Sequence, residues 1–272
     1  MDREQLIESL IANGKRLKRD DIFEFECSQC GSCCYNRVDI LLTPYDITRI
    51  SKALGQSPYE MVQKYCDYYV GNNSNFPIFT VKFKESHRDG ETFCPFLKRK
   101  DGKGMCQIHS VKPFSCGAFP LGRMIDESDK TKVHYFNQFD LDDAPACSSL
   151  KRKYTVSEWL GKHNLEESEE AFILSTDLII GIKDYINLKK LREDKRITDK
   201  TRGMIYTALA ESFYLNVDQE KNIIEAIKES IERTKEVARL FVAVSILSDI
   251  NISGKKTKMS FKEAQELVSE KI

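Results

Sequence analysis

The sequence predicts a mainly α protein with minor β, in which a loop-rich cysteine domain packs on a C-terminal helical domain. Two observations predict it. All nine cysteines fall between Cys27 and Cys147, among turn residues and short apolar runs. Beyond that point cysteine stops and long amphipathic periodicity begins, the mark of helices with one buried face. The expected division is 1–150 for the cysteine domain and 151–272 for the helical domain, with the polar stretch from Ser148 to Lys153 between them.

Element by element, Thr43-Pro44-Tyr45-Asp46 supplies a hydroxyl N-cap, a first-turn proline and a carboxylate at the third position. Ile47, Ile50, Ala53 and Leu54 then line one face of a helix that stops at Gly55. Ser57-Pro58-Tyr59-Glu60 repeats the signature, with Met61, Val62, Tyr65 and Tyr69 following at helical spacing and Cys66 on that helix. Phe76 to Phe83 alternates as a strand does, and Val133 to Phe139 is a weaker strand. Turns fall at Arg88-Asp89-Gly90, at Lys100 to Gly104 and at Cys116-Gly117-Ala118. In the second half, Thr155 to Glu158 and Ser260 to Glu263 read as capping boxes. Phe172, Leu178, Ile179, Ile182, Ile186 and Leu188 mark one long helix. Met204, Leu209, Phe213 and Tyr214 suggest a second helix, and Ile223 through Val244 a third.

Lys+Arg and Asp+Glu balance at 42 each, which gives no argument for nucleic acid or an anionic membrane as partner. The N-terminus lacks the basic and apolar regions of a signal peptide, and the most apolar windows are too short or interrupted to span a bilayer. A cytoplasmic location is therefore expected, where clustered thiols hold metal more often than they form disulfides. No G-x-x-x-x-G-K-[ST], G-x-G-x-x-G or H-E-x-x-H occurs, so phosphate-loop, dinucleotide and zincin chemistry lack support.

The chemistry lies in the cysteines. Cys27, Cys30, Cys33 and Cys34 form a C-x2-C-x2-C-C run on a Gly/Ser loop, and Cys94, Cys106, Cys116 and Cys147 follow singly. Three thiolates at C-x2-C-x2-C spacing can take three corners of an iron–sulfur cubane, with a fourth ligand from further along. These eight residues are the expected metal and cofactor ligands, enough for two four-thiolate sites. Two tetrahedral zinc sites need the same inventory, but zinc usually takes paired C-x2-C knuckles. One continuous run with dispersed single cysteines favours one or two [4Fe-4S]-type clusters, with zinc as the alternative. Cys66 is expected to be a buried apolar side chain outside the site, and His109 a packing or supporting residue. Phe25, Phe93, Phe96, Phe114 and Phe119 neighbour the ligands and could keep water from them.

These residues resemble the CxxCxxCC, or YkgJ-type, cysteine-cluster family, described as zinc- or iron-chelating. The likeness runs through Phe25 to Cys34, Leu42 to Asp46, Cys94-Pro95-Phe96-Leu97 and Cys106-Gln107-Ile108-His109. It continues through Lys112-Pro113-Phe114-Ser115-Cys116 to Phe119-Pro120, so it covers about residues 23–150. Where the family often has tyrosine this chain has His109, and where a basic residue often follows the third-motif cysteine it has Gly117. A weaker likeness to flagellin lysine N-methylases implies iron–sulfur-linked methyl transfer to protein lysine. Three functions follow as expectations: a cluster protein with a redox or partner-linked role, an iron–sulfur-dependent protein methyltransferase, and a zinc-stabilised interaction module. In each, a protein partner or protein substrate is expected, with no specific nucleic acid and no membrane.

Overall fold

The structure is a computed structural model that describes residues 16–37, 40–87, 90–126, 129, 131–138, 152–163 and 165–271. Helix outweighs strand, 49% to 19%, so the chain is mainly α with minor β. Two compact units form, each from two stretches of chain: Met1–Leu41 with Val81–Ile173, and Leu42–Thr80 with Leu174–Ile272. The units are thus interleaved in sequence, unlike the contiguous 1–150 and 151–272 expected from cysteine usage. Aromatic packing within each unit gives the physical reason, as the two cores show.

Among the described residues, the first unit holds four pairs of short antiparallel strands. Ile22–Glu24 pairs with Lys153–Thr155, and Leu121–Ile125 pairs with Val133–Asn137. Leu97–Lys100 forms a hairpin with Lys103–Cys106, and Lys84–Glu85 pairs with Thr92–Phe93. Phe23, Phe25, Phe114, Phe119, Tyr135, Tyr154, Trp159, Leu160 and Leu165 build one buried cluster. Its aromatic rings meet edge to face: Phe25 stands 5.7 Å from Phe119 and 5.4 Å from Trp159. Trp159 Nε1 donates to the Ala118 carbonyl at 2.9 Å, so the one polar atom of the indole is satisfied inside the core. This cluster ties residues 152–163 to the cysteine segment.

The second unit is helical. The helix Pro44–Leu54 begins at a complete capping box, with Asp46 N donating to Thr43 Oγ1 at 3.3 Å and Thr43 N to Asp46 Oδ2 at 2.9 Å. Ile47 and Ile50 are fully buried, whereas Ala53 is exposed. Pro58–Tyr65 repeats the box at Ser57 and Glu60. Cys66 then takes extended dihedrals and opens the strand Cys66–Val70, so the helix ends before Cys66 instead of running on to Tyr69. That strand lies beside Pro77–Val81, the centre of a three-stranded sheet. Phe76 packs edge to face on Phe213 at 5.7 Å and Phe79 on Tyr214 at 5.2 Å. Those contacts place residues 42–80 with the C-terminal helices.

The long helix expected from Phe172 to Leu188 is two helices. Glu167–Gly181 ends in a 3-10 turn, Ile182–Asp184, and Leu188–Glu193 restarts with Asn187 as its cap. Asp199–Ala210 continues into a π-helical turn, Glu211–Leu215, which buries Phe213, Tyr214 and Leu215. Met204, expected on the apolar face, is 58% exposed. Ile223–Leu247 is the longest helix, and Phe261–Lys271 follows from the Ser260–Glu263 capping box. Among the described residues, no helix is long and apolar enough to cross a membrane.

Candidate metal centre

The cysteine loop is shaped by its backbone before its thiols matter. Gln29 and Gly31 both take positive φ, at 58° and 77°, and Ser32–Cys34 closes as a 3-10 turn with Cys34 N donating to the Gly31 carbonyl at 2.9 Å. The loop is stitched to the later cysteines by the chain itself. Cys94 N donates to the Cys34 carbonyl at 2.8 Å, and Gly104 N to the Gln29 carbonyl at 2.7 Å. Glycine at 104 is needed for this approach, because a Cβ there would lie 2.8 Å from Gly31 Cα. Asn36 and Thr92 exchange two more bonds, Asn36 N to the Thr92 carbonyl and Thr92 N to Asn36 Oδ1. Cys116 sits in the helical turn Phe114–Gly117, two residues past the buried Phe114.

This framework brings five thiols, Cys33, Cys34, Cys94, Cys106 and Cys116, close enough to shift one another's ionisation. Cys33 is the thiolate of the set, lowered to about 6 by the hydrogen bond from Cys34 and helped by the cations Lys112 and Arg37. Cys34 is pushed up by donating that bond, by burial and by the charges of Cys33, Cys94 and Cys116. Burial raises Cys94 to about 11, and burial raises Cys106 and Cys116 as well. One anion among neutral thiols is the cheapest way to hold so many acids together without a cation.

The other predicted ligands stand differently. Cys27 is exposed. The Cys30 carbonyl accepts from Arg99 at 3.4 Å, while the Arg99 guanidinium bonds the Tyr35 hydroxyl and lies over its ring. Cys147 lies outside the described residues. Cys66 belongs to the second unit, where its thiol contacts Met61 Sδ at 3.8 Å and burial pushes it up to about 12. His109 is exposed at the start of a short 3-10 turn. All eight described cysteines are free thiols. Among the described residues, no three Cys, His, Asp or Glu side chains already stand in metal-holding geometry. The five thiols are neighbours rather than a closed cage. The basic residues around them, Arg37, Arg99 and Lys112, escaped the sequence reading, since neither spacing nor periodicity distinguishes them from other surface cations.

Residues 26–148 match a family model described as "CxxCxxCC: Putative zinc- or iron-chelating domain". The matched segment, under half of the chain, is similar to the CxxCxxCC family. The match runs from Glu26, beside the first cysteine of the loop, to Ser148, beside Cys147, and so takes in every predicted ligand. No curated protein and no solved structure matches the chain. That similarity supports metal binding by the cysteine-rich segment. Its donors fit that chemistry: Cys33, Cys34, Cys94, Cys106 and Cys116 lie near enough to shift one another's ionisation, and soft thiolates select zinc and iron–sulfur centres over hard cations.

Proposed function

We propose that the CxxCxxCC domain holds iron as one or two [4Fe-4S]-type clusters and serves a redox or partner-linked role. The observation that supports this most is the number of thiols in mutual reach. One tetrahedral zinc takes four ligands, whereas five thiols interact here and two more occupy the same loop. A cluster of several irons uses such a surplus, and when bound it supplies one-electron chemistry at potentials set by its surroundings. Phe25, Phe96 and Phe114 stand two residues from a cysteine in sequence and Phe119 three, and all four are buried, which supports a partly dry setting. Arg99, Lys112 and Arg37 supply positive charge that offsets the thiolates. The partner in this reading is a protein, either an electron-transfer partner or a lysine-bearing substrate as in the N-methylases that the sequence weakly resembles.

The visible and electron paramagnetic resonance spectra of protein prepared without oxygen test the proposal. Expected are a broad thiolate-to-iron absorption that bleaches on reduction and a paramagnetic signal in the reduced state. A colourless, spectroscopically silent protein with stoichiometric zinc supports the zinc-stabilised interaction module instead. If a cluster is present, methyl transfer from S-adenosylmethionine to protein lysine separates the enzyme from the electron carrier.

A further inference from the structure

Away from the cysteines, the helical unit contains a cleft of about 440 Å³ lined by hydrogen-bond donors. It lies where the segment from Asn251 to Met259 folds back on the restart of the broken helix. Ile186 bridges Ser253 in antiparallel fashion, Asn187 N donates to the Ile252 carbonyl at 2.8 Å, and Gly254 N donates to the Tyr185 carbonyl at 3.2 Å. The fold-back is tight: a Cβ at Gly254 would lie 2.4 Å from the Asp184 carbonyl carbon. Backbone contacts therefore fix the floor of the cleft, and side chains of Asn187, Lys190, Asn251 and Lys258 line it.

What lines it has one chemical sense. Asn187 Oδ1 accepts from Lys190 N at 2.9 Å and Asn251 Oδ1 accepts from Ser253 N at 2.8 Å. With both amide oxygens engaged, each asparagine keeps its NH2 group for another acceptor. Lys190 and Lys258 add two ammonium groups, and no side chain lining this cleft is acidic. The adjoining cleft that shares Asn187 and Lys190 adds Lys189 and two acids, Glu193 and Asp194, the latter held by Arg196 at 2.7 Å. The hydroxyl of Ser253 is buried and has no hydrogen-bond partner. A buried orphan hydroxyl is costly unless something else satisfies it.

We propose that this cleft binds a phosphoryl group. Two lysines act as point charges and two amides supply directed donors, and three phosphoryl oxygens can use all four. A carboxylate, with one charge and two oxygens, would leave donors unused. The shared chemistry is a phosphate monoester dianion, whether from free phosphate, a phosphorylated metabolite or a lipid headgroup.

Calorimetric titration of inorganic phosphate into the full chain, at constant ionic strength, tests the proposal. Saturable one-to-one binding is expected, weakened about tenfold or more in a Lys190→Gln/Lys258→Gln double variant and unchanged in Lys255→Gln. Asn251→Asp, which keeps the acceptor for Ser253 N but replaces the amide NH2 with a charge, should weaken binding severalfold. Co-sedimentation with phosphatidic acid vesicles, against phosphatidylcholine alone, separates a headgroup source from a soluble one. Binding to neither phosphate nor vesicles overturns the proposal, as does equal binding by wild type and the double variant. None of these readouts touches the cysteines, so they stand apart from the fate of the metal reading.

Discussion

The two compact units are held together by different means. In the helical unit, stability comes from long amphipathic faces: Ile224, Ile227, Ile231, Ala238 and Val242 of one helix are all buried. In the cysteine unit the strands are two to five residues long, and order comes from one aromatic cluster, loop-to-loop backbone bonds and a close glycine pair. A unit of short elements gains little from propensity and much from a cross-link, and metal binding is such a cross-link. The difference teaches that metal should matter to one unit far more than to the other.

The sharpest way to break that comparison is to remove ligands. Cys33→Ser and Cys94→Ser should each strip most of the metal and lower the first thermal transition. Cys66→Ala should leave metal content at wild-type level, because Cys66 sits in the other unit. Equal metal loss in all three would dissolve the distinction between the units.

Next in size are the two cores. Trp159→Ala should destabilise by about 3–5 kcal/mol and reduce metal retention, since Trp159 packs on Phe25 two residues from Cys27. Phe213→Ala should cost a similar amount, about 3–5 kcal/mol, with metal content intact in the folded fraction. Denaturant melts read beside metal analysis separate the two outcomes.

Smaller effects are set by protons. Metal must displace protons from Cys94, held near 11, and from Cys34, Cys106 and Cys116, all raised above the ordinary thiol value. Metal affinity should therefore rise steeply with pH through the neutral range and fall on acidification. A competition assay with a chelator at several pH values checks the slope. His163 is lowered from 6.5 to about 4, chiefly by burial, so the folded state prefers the neutral ring. Its contribution is fully present above about 6.5 and is lost as pH falls towards 4. In His163→Gln that part of the acid destabilisation should vanish, which a comparison of denaturant midpoints across this range would show.

The smallest expected effect is at a helix cap. Thr43→Ala should cost about 1 kcal/mol, confined to the helical unit and silent in metal content.

The helix starts were legible because caps are local: Thr43, Ser57, Thr155 and Ser260 each announce a box within four residues, and each box forms. Helix ends were less so. The apolar spacing from Met61 to Tyr69 continues past Cys66, where pairing in the sheet with Pro77–Val81 takes the chain into a strand. Likewise Ile182 and Ile186 keep helical spacing, yet Asn187 and Gly254 bind the backbone into a turn between them. The thiol loop was readable from C-x2-C-x2-C-C spacing. Its cationic surroundings were not, because Arg37, Arg99 and Lys112 reach the thiols only through tertiary contacts.

The central claim, that the CxxCxxCC domain carries iron–sulfur through its grouped thiols, is tested most directly by quantifying iron, zinc and acid-labile sulfide in oxygen-free protein. The account predicts iron and sulfide in near-equal amounts, both lost together in Cys33→Ser. Stoichiometric zinc with neither iron nor sulfide would contradict it.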